Sequence, residues 1–398
     1  MQQLDDLDQL ARPYAEALVA ALKSEGRLSS PLVEAAFKEV PRHPFIDHFY
    51  LLERKDRRMQ WQQVQPSTVQ NTDAWLRAVY ANQPVVTAFD EYNTPTSSSS
   101  SPDAMALMLE ELQLTPGLRV LEIGTGTGYN AALLAHIVGD PHNIFTVEID
   151  AALARRAQRI LDQVAGEGIT VYAGDGLCGY APGAPYDRMI ATGSYHKVPL
   201  DWLDQLQPGG ILLMNLRGHL GACAFLKIVK VGPGRVAHGT FLAGSDFMEL
   251  RDAQYPSYRV TNLVTRYLGR PAVAQRPFTC AEFDPALLWD HRLEFLLQLS
   301  FPEMYFTSAH VDPMCPCLID VASDTMLVFC PRERQGEWLV EIKGQKQLWE
   351  VVAQAYRGWV DTGRAELDAY QLEIDVIGNQ RVIIDGKDGG HMHTWMLP

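Results

Sequence analysis

The stretch that decides the fold of this chain is Leu121-Glu122-Ile123-Gly124-Thr125-Gly126-Thr127-Gly128-Tyr129-Asn130. It follows a short apolar run and precedes residues at helical spacing, which predicts a turn between a strand and a helix. Glycine at every second position lets the backbone bend tightly and approach a ligand where a side chain would block contact. The dinucleotide pattern G-x-G-x-x-G needs a third glycine at position 129, which holds Tyr129. The spacing E-x-G-x-G-x-G therefore favours S-adenosylmethionine over NAD.

Strands and helices alternate after this turn. The pattern predicts strands at 120–123, 144–148, 169–172, 188–191 and 210–216, separated by helices at 130–138, 153–164 and 199–206. Such alternation is typical of a parallel sheet with helices on both faces. We expect an α/β, Rossmann-like, doubly wound domain that ends in an antiparallel pair at 222–231 and 239–247.

The regions on either side of this domain read differently. Helical spacing runs from 8 to 40 with a break at 29–31, residues 67–96 look irregular, and the serines at 97–101 look like an ordered loop before a helix at 103–112. We place a catalytic domain at 1–255, with an insertion at about 60–93, and a linker at 256–277. The remainder, 278–398, predicts a smaller α+β domain with helices at 286–299 and 347–360, strands at 327–330 and 338–342, and a hairpin at 370–384.

Composition excludes several classes of protein. The 398 residues are 47% hydrophobic and 21% charged, which is ordinary for a globular protein, and the net charge is −14. Residues 275–398 carry 10 basic and 19 acidic residues, or −9 of that charge, so no nucleic-acid partner is expected. The chain has neither a long apolar segment nor a signal-peptide pattern, which predicts a cytoplasmic protein without membrane contact. The six scattered cysteines read as reduced core residues.

Acidic residues follow the glycine turn in the order that an adenosine requires. Glu148 ends the second predicted strand, where a carboxylate accepts both ribose hydroxyls, and Asp175 ends the third, where it can accept the adenine amino group. Glu122 can orient the turn or receive the methionine ammonium through water. Because the carboxyl ends of parallel strands share one sheet edge, these groups should meet there.

Several motifs together resemble the protein-L-isoaspartate O-methyltransferase family. They are Val40-Pro41-Arg42-His43-Pro44-Phe45, the glycine turn, Gly174-Asp175-Gly176, Ala184-Pro185-Tyr186-Asp187 and Leu206-Gln207-Pro208-Gly209-Gly210, within residues 10–250. The resemblance implies a class I methyltransferase fold, a peptide carboxylate as acceptor, and S-adenosyl-L-methionine as cofactor, with S-adenosyl-L-homocysteine as product. The cofactor-binding candidates are Glu122, Gly124, Thr125, Gly126, Gly128, Glu148, Ile149, Asp175 and Gly176.

Three departures from the family pattern concern the acceptor. The family's T-I-S-Q-P segment aligns through Pro102 with a serine run, which puts Ser98 and Ser100 at its two hydroxyl positions. We assign Ser100 the role of holding the acceptor carboxylate, with Ser98 beside it, although Ser100 or Ser101 can equally cap the following helix. The other departures are the aromatic-rich insertion and the C-terminal domain, which we interpret as a peptide-recognition module. Together they resemble homologues that tailor ribosomally made peptides beside lanthipeptide and graspetide synthetases.

The resemblance leaves competing functions. The first is methylation of an aspartate in a precursor peptide already cyclised by a partner synthetase, leading to a succinimide (aspartimide) or isoaspartate. The second is repair of damaged proteins by methylation of L-isoaspartyl or D-aspartyl residues. A non-catalytic peptide-binding module and a nicotinamide dehydrogenase are alternatives of other classes.

A few further residues are candidates for contact with the substrate or with a metal. His43, Thr192, Tyr195 and His196 are substrate-side candidates, the last three because they end the fourth predicted strand. The basic run at 54–58 can attract an acidic peptide or be a solvated helix face. A zinc site would need His310, Cys315, Cys317, His391 and His393 to converge, but their spacing fits no common zinc module, and we expect no metal.

Overall fold

The structure is a computed structural model that describes residues 2–55, 58–66, 72–251, 260–309, 315–332, 334, 336–361, 363–384 and 393–397. Its backbone divides into two compact units. The first comprises Met1–Gly193, Pro199–Met214 and Leu250–Asp252, and the second comprises Ser194–Val198, Asn215–Glu249 and Ala253–Pro398. Residues 215–249, which we predicted within the catalytic domain, are thus counted with the second unit; the division at 256–277 stays a prediction.

The first unit contains most of the predicted α/β pattern. Its helices and strands, in chain order, are α1 (Gln2–Ser24), α2 (Pro31–Glu39), β1 (Phe49–Lys55), β2 (Arg58–Val64), α3 (Thr72–Val79), β3 (Val85–Phe89), β4 (Pro95–Ser99), α4 (Pro102–Glu111), β5 (Val120–Ile123), α5 (Tyr129–Val138), β6 (Ile144–Glu148), α6 (Ala151–Val164), β7 (Thr170–Ala173), β8 (Tyr186–Tyr195), α7 (Leu200–Gln205) and β9 (Leu206–Arg217). The last residues of β8 and β9 are counted with the second unit.

A parallel sheet forms the centre of this unit. Its strands stand in the order β7-β6-β5-β8-β9, and β5 pairs in parallel with both β6 and β8. Every residue of β5 and β6 is buried, as expected for strands covered on both faces. The predicted Rossmann-like, doubly wound class is therefore confirmed.

The serine run and the region before it differ from the prediction. Residues 67–96 looked irregular, but the described part contains α3 and β3, and the first three serines of the run belong to β4 rather than to a loop. Strands β2-β1-β3-β4 make a separate antiparallel sheet of four strands. The physical reason is backbone pairing: β3 holds β4 in register from Val85↔Ser99 to Phe89↔Pro95, which overrides the weak strand preference of serine.

The second unit is rich in antiparallel strands. Its elements are β10 (Cys223–Lys230), β11 (Ala237–Ser245), α8 (Val260–Leu268), β12 (Ala274–Thr279), α9 (His291–Ser300), β13 (Met304–Ala309), β14 (Cys315–Asp320), β15 (Thr325–Pro331), β16 (Glu337–Lys343), α10 (Gln347–Asp361), β17 (Tyr370–Ile374), β18 (Gln380–Ile384) and β19 (His393–Met396). Strands β12-β16-β15-β14-β13 form one sheet, and β10-β11-β17-β18-β19 are neighbours in another. The predicted hairpins β10–β11 and β17–β18 are both present.

Two predictions for this unit were incomplete. The proposed linker contains α8, whose Leu263 and Tyr267 pack on β14 and β15, so its apolar residues recur at helical spacing that we overlooked. The helix predicted at 286–299 is a short 3₁₀ segment, Pro285–Trp289, followed by α9. Asp290 separates them because its carboxylate accepts the Arg292 amide and caps α9. Within the part of the chain that the structure describes, no helix is long and apolar enough to cross a membrane.

Candidate active site

The glycine turn joins β5 to α5 and has the backbone that its sequence requires. Gly124, Gly126 and Gly128 have φ of 94°, 52° and 91°, values at which a side chain is strained. A Cβ added to Gly124 would lie 2.8 Å from Oγ1 of Thr192, whose hydroxyl donates to the Gly124 carbonyl over 2.6 Å. Thr192 therefore braces the turn from the end of β8, and the bare backbone between them leaves a cradle that a side chain would fill.

Glu122 is completely buried beneath this turn. Its two oxygens accept hydrogen bonds of 2.7 Å from Asn130 Nδ2 and Thr146 Oγ1, and Thr146 also lies 2.7 Å from the Thr125 hydroxyl. Burial raises the pKa of Glu122 to about 7, against the opposing effect of these two hydrogen bonds. Of the two roles expected for Glu122, orientation of the turn is the one that these contacts support.

The predicted ribose and adenine residues lie at the carboxyl ends of neighbouring strands. Glu148 ends β6, and its carboxylate accepts the amide of Gly126 over 2.8 Å and that of Asp150 over 3.1 Å. Asp175 follows β7 and accepts the Leu177 amide over 2.9 Å. The intervening Ile149 is 36% exposed, an unusual exposure for isoleucine beside a buried strand. The fold therefore brings Glu148 to the glycine turn and leaves an apolar side chain next to it.

Gly176 has no room for a side chain. A Cβ at this position would lie 2.6 Å from Ile123 Cγ2, and its carbonyl accepts the indole N–H of Trp202 over 2.8 Å. These contacts hold the loop after β7 against the end of β5. The glycine turn, Glu148 and the Asp175–Gly176 loop thus occupy the sheet edge expected for a nucleoside.

The serine strand β4 lies against the same turn. The Ser98 carbonyl oxygen is 3.4 Å from the position of a Cβ on Gly126, and the Ser97 hydroxyl is 3.6 Å from it. Side chains alternate along a strand, and here Ser97 and Ser99 are buried whereas Ser98 and Ser100 are half-buried. The Ser98 and Ser100 hydroxyls make no hydrogen bond to any residue that the structure describes, so they are the two available to an acceptor.

Ser101 precedes α4 but does not cap it with its side chain. The alternative role that the sequence left open, helix capping within the serine run, therefore has no hydrogen bond to support it at Ser101. This leaves Ser98 and Ser100 as the pair whose position fits the predicted hydroxyl role, and that role stays a prediction.

Arg42 is a functional candidate that the sequence reasoning missed. Its fully buried guanidinium donates to the carbonyl groups of Val79 over 2.8 Å and Ser100 over 3.0 Å, and to the Ser99 hydroxyl over 3.2 Å. It also lies 5.9 Å from the ring centre of Tyr129, the first residue of α5. Burial lowers the pKa of Arg42 to about 10, which leaves it charged at neutral pH. The only sequence signal for Arg42 was its place in the V-P-R-H motif, which does not indicate what the side chain contacts.

His43, which we predicted on the substrate side, is buried, and its substrate-side role stays a prediction. It is 2% exposed, with Nδ1 3.0 Å from the Tyr80 hydroxyl and Nε2 3.1 Å from the Asp8 carboxylate. Burial lowers its pKa. Both ring nitrogens thus face groups within the N-terminal helical layer, because the short 3₁₀ segment His43–Phe45 turns the ring inward. These contacts favour a structural role.

The remaining candidates are counted with the second unit or are not among the described residues. Tyr195 and His196 belong to the second unit, where their rings are 4.1 Å apart. His310 and His391 of the zinc hypothesis lie outside the described residues, as do residues 56 and 57 of the basic run. Among the residues that are described, no three metal-ligating side chains form a cluster.

Comparison with known proteins agrees with the motifs. The family model for Protein-L-isoaspartate(D-aspartate) O-methyltransferase (PCMT) matches residues 54–238. A protein-L-isoaspartate O-methyltransferase from Pyrococcus horikoshii is 30% identical over 219 residues, which are 55% of this chain and 84% of that protein. Another, from Archaeoglobus fulgidus, is 34% identical over 53% of this chain and 81% of that protein. A third, from Ignicoccus hospitalis, is 40% identical over 34% of this chain and 65% of its own length.

One solved structure is similar along nearly the whole chain. This protein-L-isoaspartate O-methyltransferase aligns over 96% of the present chain and 98% of its own, with a TM-score of 0.52 and 21% identity. At this identity the likeness concerns the fold alone. It does show that a C-terminal region of this kind also occurs in a protein of that name, so the region does not by itself indicate peptide tailoring.

Proposed function

Because the chain belongs to the protein-L-isoaspartate O-methyltransferase family, we propose that it esterifies a carboxylate of an aspartyl or isoaspartyl residue in a peptide. The family consists of S-adenosylmethionine-dependent carboxyl O-methyltransferases, so the predicted reaction class and cofactor are confirmed. The observation that carries the proposal is the position of the serine strand, whose Ser98 carbonyl approaches Gly126 of the cofactor turn.

The residues present fit this cofactor. The side-chain-free backbone at Gly124 and Gly126 suits close approach, and the Glu148 carboxylate beside it is a suitable acceptor for ribose hydroxyls. Asp175 and Ile149 would face the adenine, one as hydrogen-bond acceptor and one as an apolar contact. When bound, S-adenosylmethionine supplies an electrophilic methyl group on a sulfonium.

The acceptor needs orientation rather than activation. A carboxylate is ionised at neutral pH, so no general base is required, and the barrier falls mainly through alignment in a site that excludes water. In our proposal the Ser100 and Ser98 hydroxyls donate to the acceptor carboxylate. Arg42 donates hydrogen bonds to the carbonyl oxygens of Ser99 and Ser100. In our proposal it thereby fixes the backbone that positions the acceptor-binding hydroxyls.

The ester changes the chemistry of the peptide. Methanol is a better leaving group than oxide, so the neighbouring backbone nitrogen can attack the ester carbonyl, expel methanol and close a succinimide. Hydrolysis of that imide gives aspartate and isoaspartate. Which species accumulates depends on the peptide rather than on the residues of this chain.

Two acceptors compete within this proposal. One is an aspartate in a macrocyclic ribosomal peptide that a synthetase has already cyclised. Two features favour it: serines replace the family's T-I-S-Q segment, and their strand belongs to an additional four-stranded sheet. Isoaspartate in a damaged protein is favoured by the names of the relatives, and it fits the same geometry. The cytoplasmic location common to both stays a prediction.

Mass spectrometry with matched peptides tests the proposal. One peptide is a lactam-bridged macrocycle with a single aspartate, and the other is a linear isoaspartyl peptide of the same composition. Peptide tailoring predicts addition of one methyl group to the macrocycle, then loss of one water relative to the starting peptide. Methylation of the isoaspartyl peptide alone would select repair. Failure of calorimetry to detect S-adenosylmethionine binding would revive the non-catalytic binding module.

A further inference from the structure

The four-stranded sheet β2-β1-β3-β4 has two chemically different faces. Residues directly paired across antiparallel strands share a face, and the pairs Ser98↔Val86 and Val86↔Tyr50 link three strands in one row. Leu52 lies two positions from Tyr50 and pairs with Trp61, so it is on that face too. We call this the serine face; its members are Ser98, Val86, Tyr50, Leu52, Trp61 and Phe89, and Ser100 follows just beyond the end of β4.

Aromatic rings on the serine face form a continuous cluster. The Phe89 ring centre lies 4.8 Å from that of Tyr50 and 5.1 Å from that of Trp61, both in edge-to-face geometry. All three side chains are half-buried, and neighbouring Leu52 is 47% exposed. The opposite face is different, since Phe49 and Val85 are almost fully buried there. The serine face therefore keeps its aromatic groups accessible although the sheet has a separate face for packing.

We infer that the serine face is the docking surface for the acceptor peptide, with the aromatic cluster binding an apolar side chain near the acceptor carboxylate. This inference rests on the proposed function and specifies its substrate. The Ser98 hydroxyl, a candidate acceptor contact, and the aromatic rings stand on one face, so they form a continuous surface for a peptide. Tyr50 is two strands away from Ser98, or about 10 Å, which an extended peptide covers in about three residues.

The charge of the hairpin favours a peptide over a second copy of this chain. The sequence between β1 and β2, Arg54-Lys55-Asp56-Arg57-Arg58, has four basic residues and one acidic. A segment that carries the acceptor aspartate and further acidic residues is complementary to it. A second copy, at net charge −14, would add repulsion elsewhere on its surface.

A peptide series tests this assignment. Four linear dodecapeptides contain one acceptor, aspartyl or isoaspartyl, and either leucine or serine at the positions three residues before and after it. For each acceptor that is methylated, we expect the wild type to show a KM at least tenfold lower with leucine than with serine. The double variant Leu52→Ala/Trp61→Ala should lose this preference while its kcat and its Kd for S-adenosylmethionine stay within threefold.

Leu10→Ala is the matched control, because Leu10 is also an exposed leucine, 58% against 47%, and belongs to α1 rather than to the sheet. It should keep the full preference. A second variant, Leu52→Lys, alters only the exposed side chain and should raise KM for the leucine peptide alone, which guards against misfolding of the double variant. Equal KM for leucine and serine peptides with the wild type would overturn the docking surface alone. Methylation of neither these four peptides nor the lactam-bridged macrocycle would contradict the proposed function itself, and the docking surface with it.

Discussion

The cofactor turn and the four-stranded sheet β2-β1-β3-β4, here called the serine sheet, are neighbours in the first unit, yet they are built differently. The cofactor turn is a fixed backbone whose supporting groups, Glu122, Thr146 and Asn130, hydrogen bond one another below the surface. The serine sheet keeps one face buried and leaves the other half open, with Ser98 and Ser100 on the open side. The cofactor is always the same molecule, so a rigid site can bind it. The sequence around the acceptor carboxylate differs among peptides, so an open surface is better suited to bind it.

The largest effect should follow from filling the cradle. Gly124→Ala would place a Cβ 2.8 Å from the Thr192 hydroxyl, at a φ that disfavours alanine. We expect S-adenosylmethionine to bind roughly hundredfold more weakly, or about 2.7 kcal/mol, in calorimetry. Gly117→Ala is the control, since Gly117 has φ of 86° but open space around it, and should change only stability, by about 1 kcal/mol. Equal loss of affinity in both variants would contradict a specific cradle.

The next effect concerns the support of the serine strand. Arg42→Lys should lower the free energy of unfolding by about 3 kcal/mol in urea, because one ammonium cannot serve the carbonyl groups of Val79, Ala81 and Ser100 together. Arg188→Lys, at a half-buried arginine that donates to the Leu112 carbonyl, should cost about 1 kcal/mol. An Arg42→Lys variant of native stability and activity would show that Arg42 does not position the strand.

The register of the serine strand can be read from single substitutions. Ser100→Ala should lower kcat roughly thirtyfold, about 2 kcal/mol, without change in stability, because in our proposal its hydroxyl donates to the acceptor carboxylate. Ser99→Ala should instead cost about 1 kcal/mol of stability, since its hydroxyl accepts from Arg42. Ser101→Ala should change neither, because Ser101 makes no capping bond. The reverse pattern, with activity lost only at Ser99, would place the acceptor on the other face.

The smallest effect is a pH dependence that belongs to the cofactor turn. Glu122 has a pKa of about 7 when folded and an ordinary value near 4.5 when unfolded, so the folded chain holds a proton that the unfolded chain releases between these values. The free energy of unfolding should therefore fall by about 2 kcal/mol as pH rises from 4.5 to 7, and Glu122→Gln should remove this contribution.

Glu294 provides the matched control for that experiment. Burial also raises its pKa to about 7, but it lies on α9 in the second unit. Glu294→Gln should remove a similar pH dependence of stability and leave S-adenosylmethionine affinity unchanged, whereas Glu122→Gln should alter both. Identical behaviour of the two variants would show that Glu122 has no special link to the turn.

The two regions also differ in how far the sequence could predict them. The turn requires positive φ at Gly124, Gly126 and Gly128, a conformation that few other residues adopt. Their spacing in the sequence therefore predicts the turn directly. The position of Glu148 could also be predicted, because the carboxyl ends of parallel strands lie at the same edge of the sheet. The serine run carries no comparable signal. Its strand conformation depends on pairing with β3, and the local sequence preference of serine does not indicate that pairing.

Side-chain environment explains what the sequence left undetermined elsewhere. His43 and Arg42 are neighbours in one motif, and nothing local to the sequence shows that both are buried, with the arginine reaching Ser99 and Ser100. The helix α8 was missed because we predicted a linker at 256–277, where the apolar residues Val260, Leu263, Val264 and Tyr267 recur at helical spacing. Such features require the tertiary contacts, which composition and spacing leave undetermined.

The most direct test of the account is the chemical nature of the transferred methyl group. The enzyme is incubated with methyl-labelled S-adenosylmethionine and the aspartyl and isoaspartyl peptides, and the labelled peptide is then treated with base. A carboxyl methyl ester predicts release of the label as volatile methanol, with release abolished in Gly124→Ala and much reduced in Ser100→Ala. Label that resists base, as on nitrogen or sulfur, would contradict the central claim that this site methylates a carboxylate.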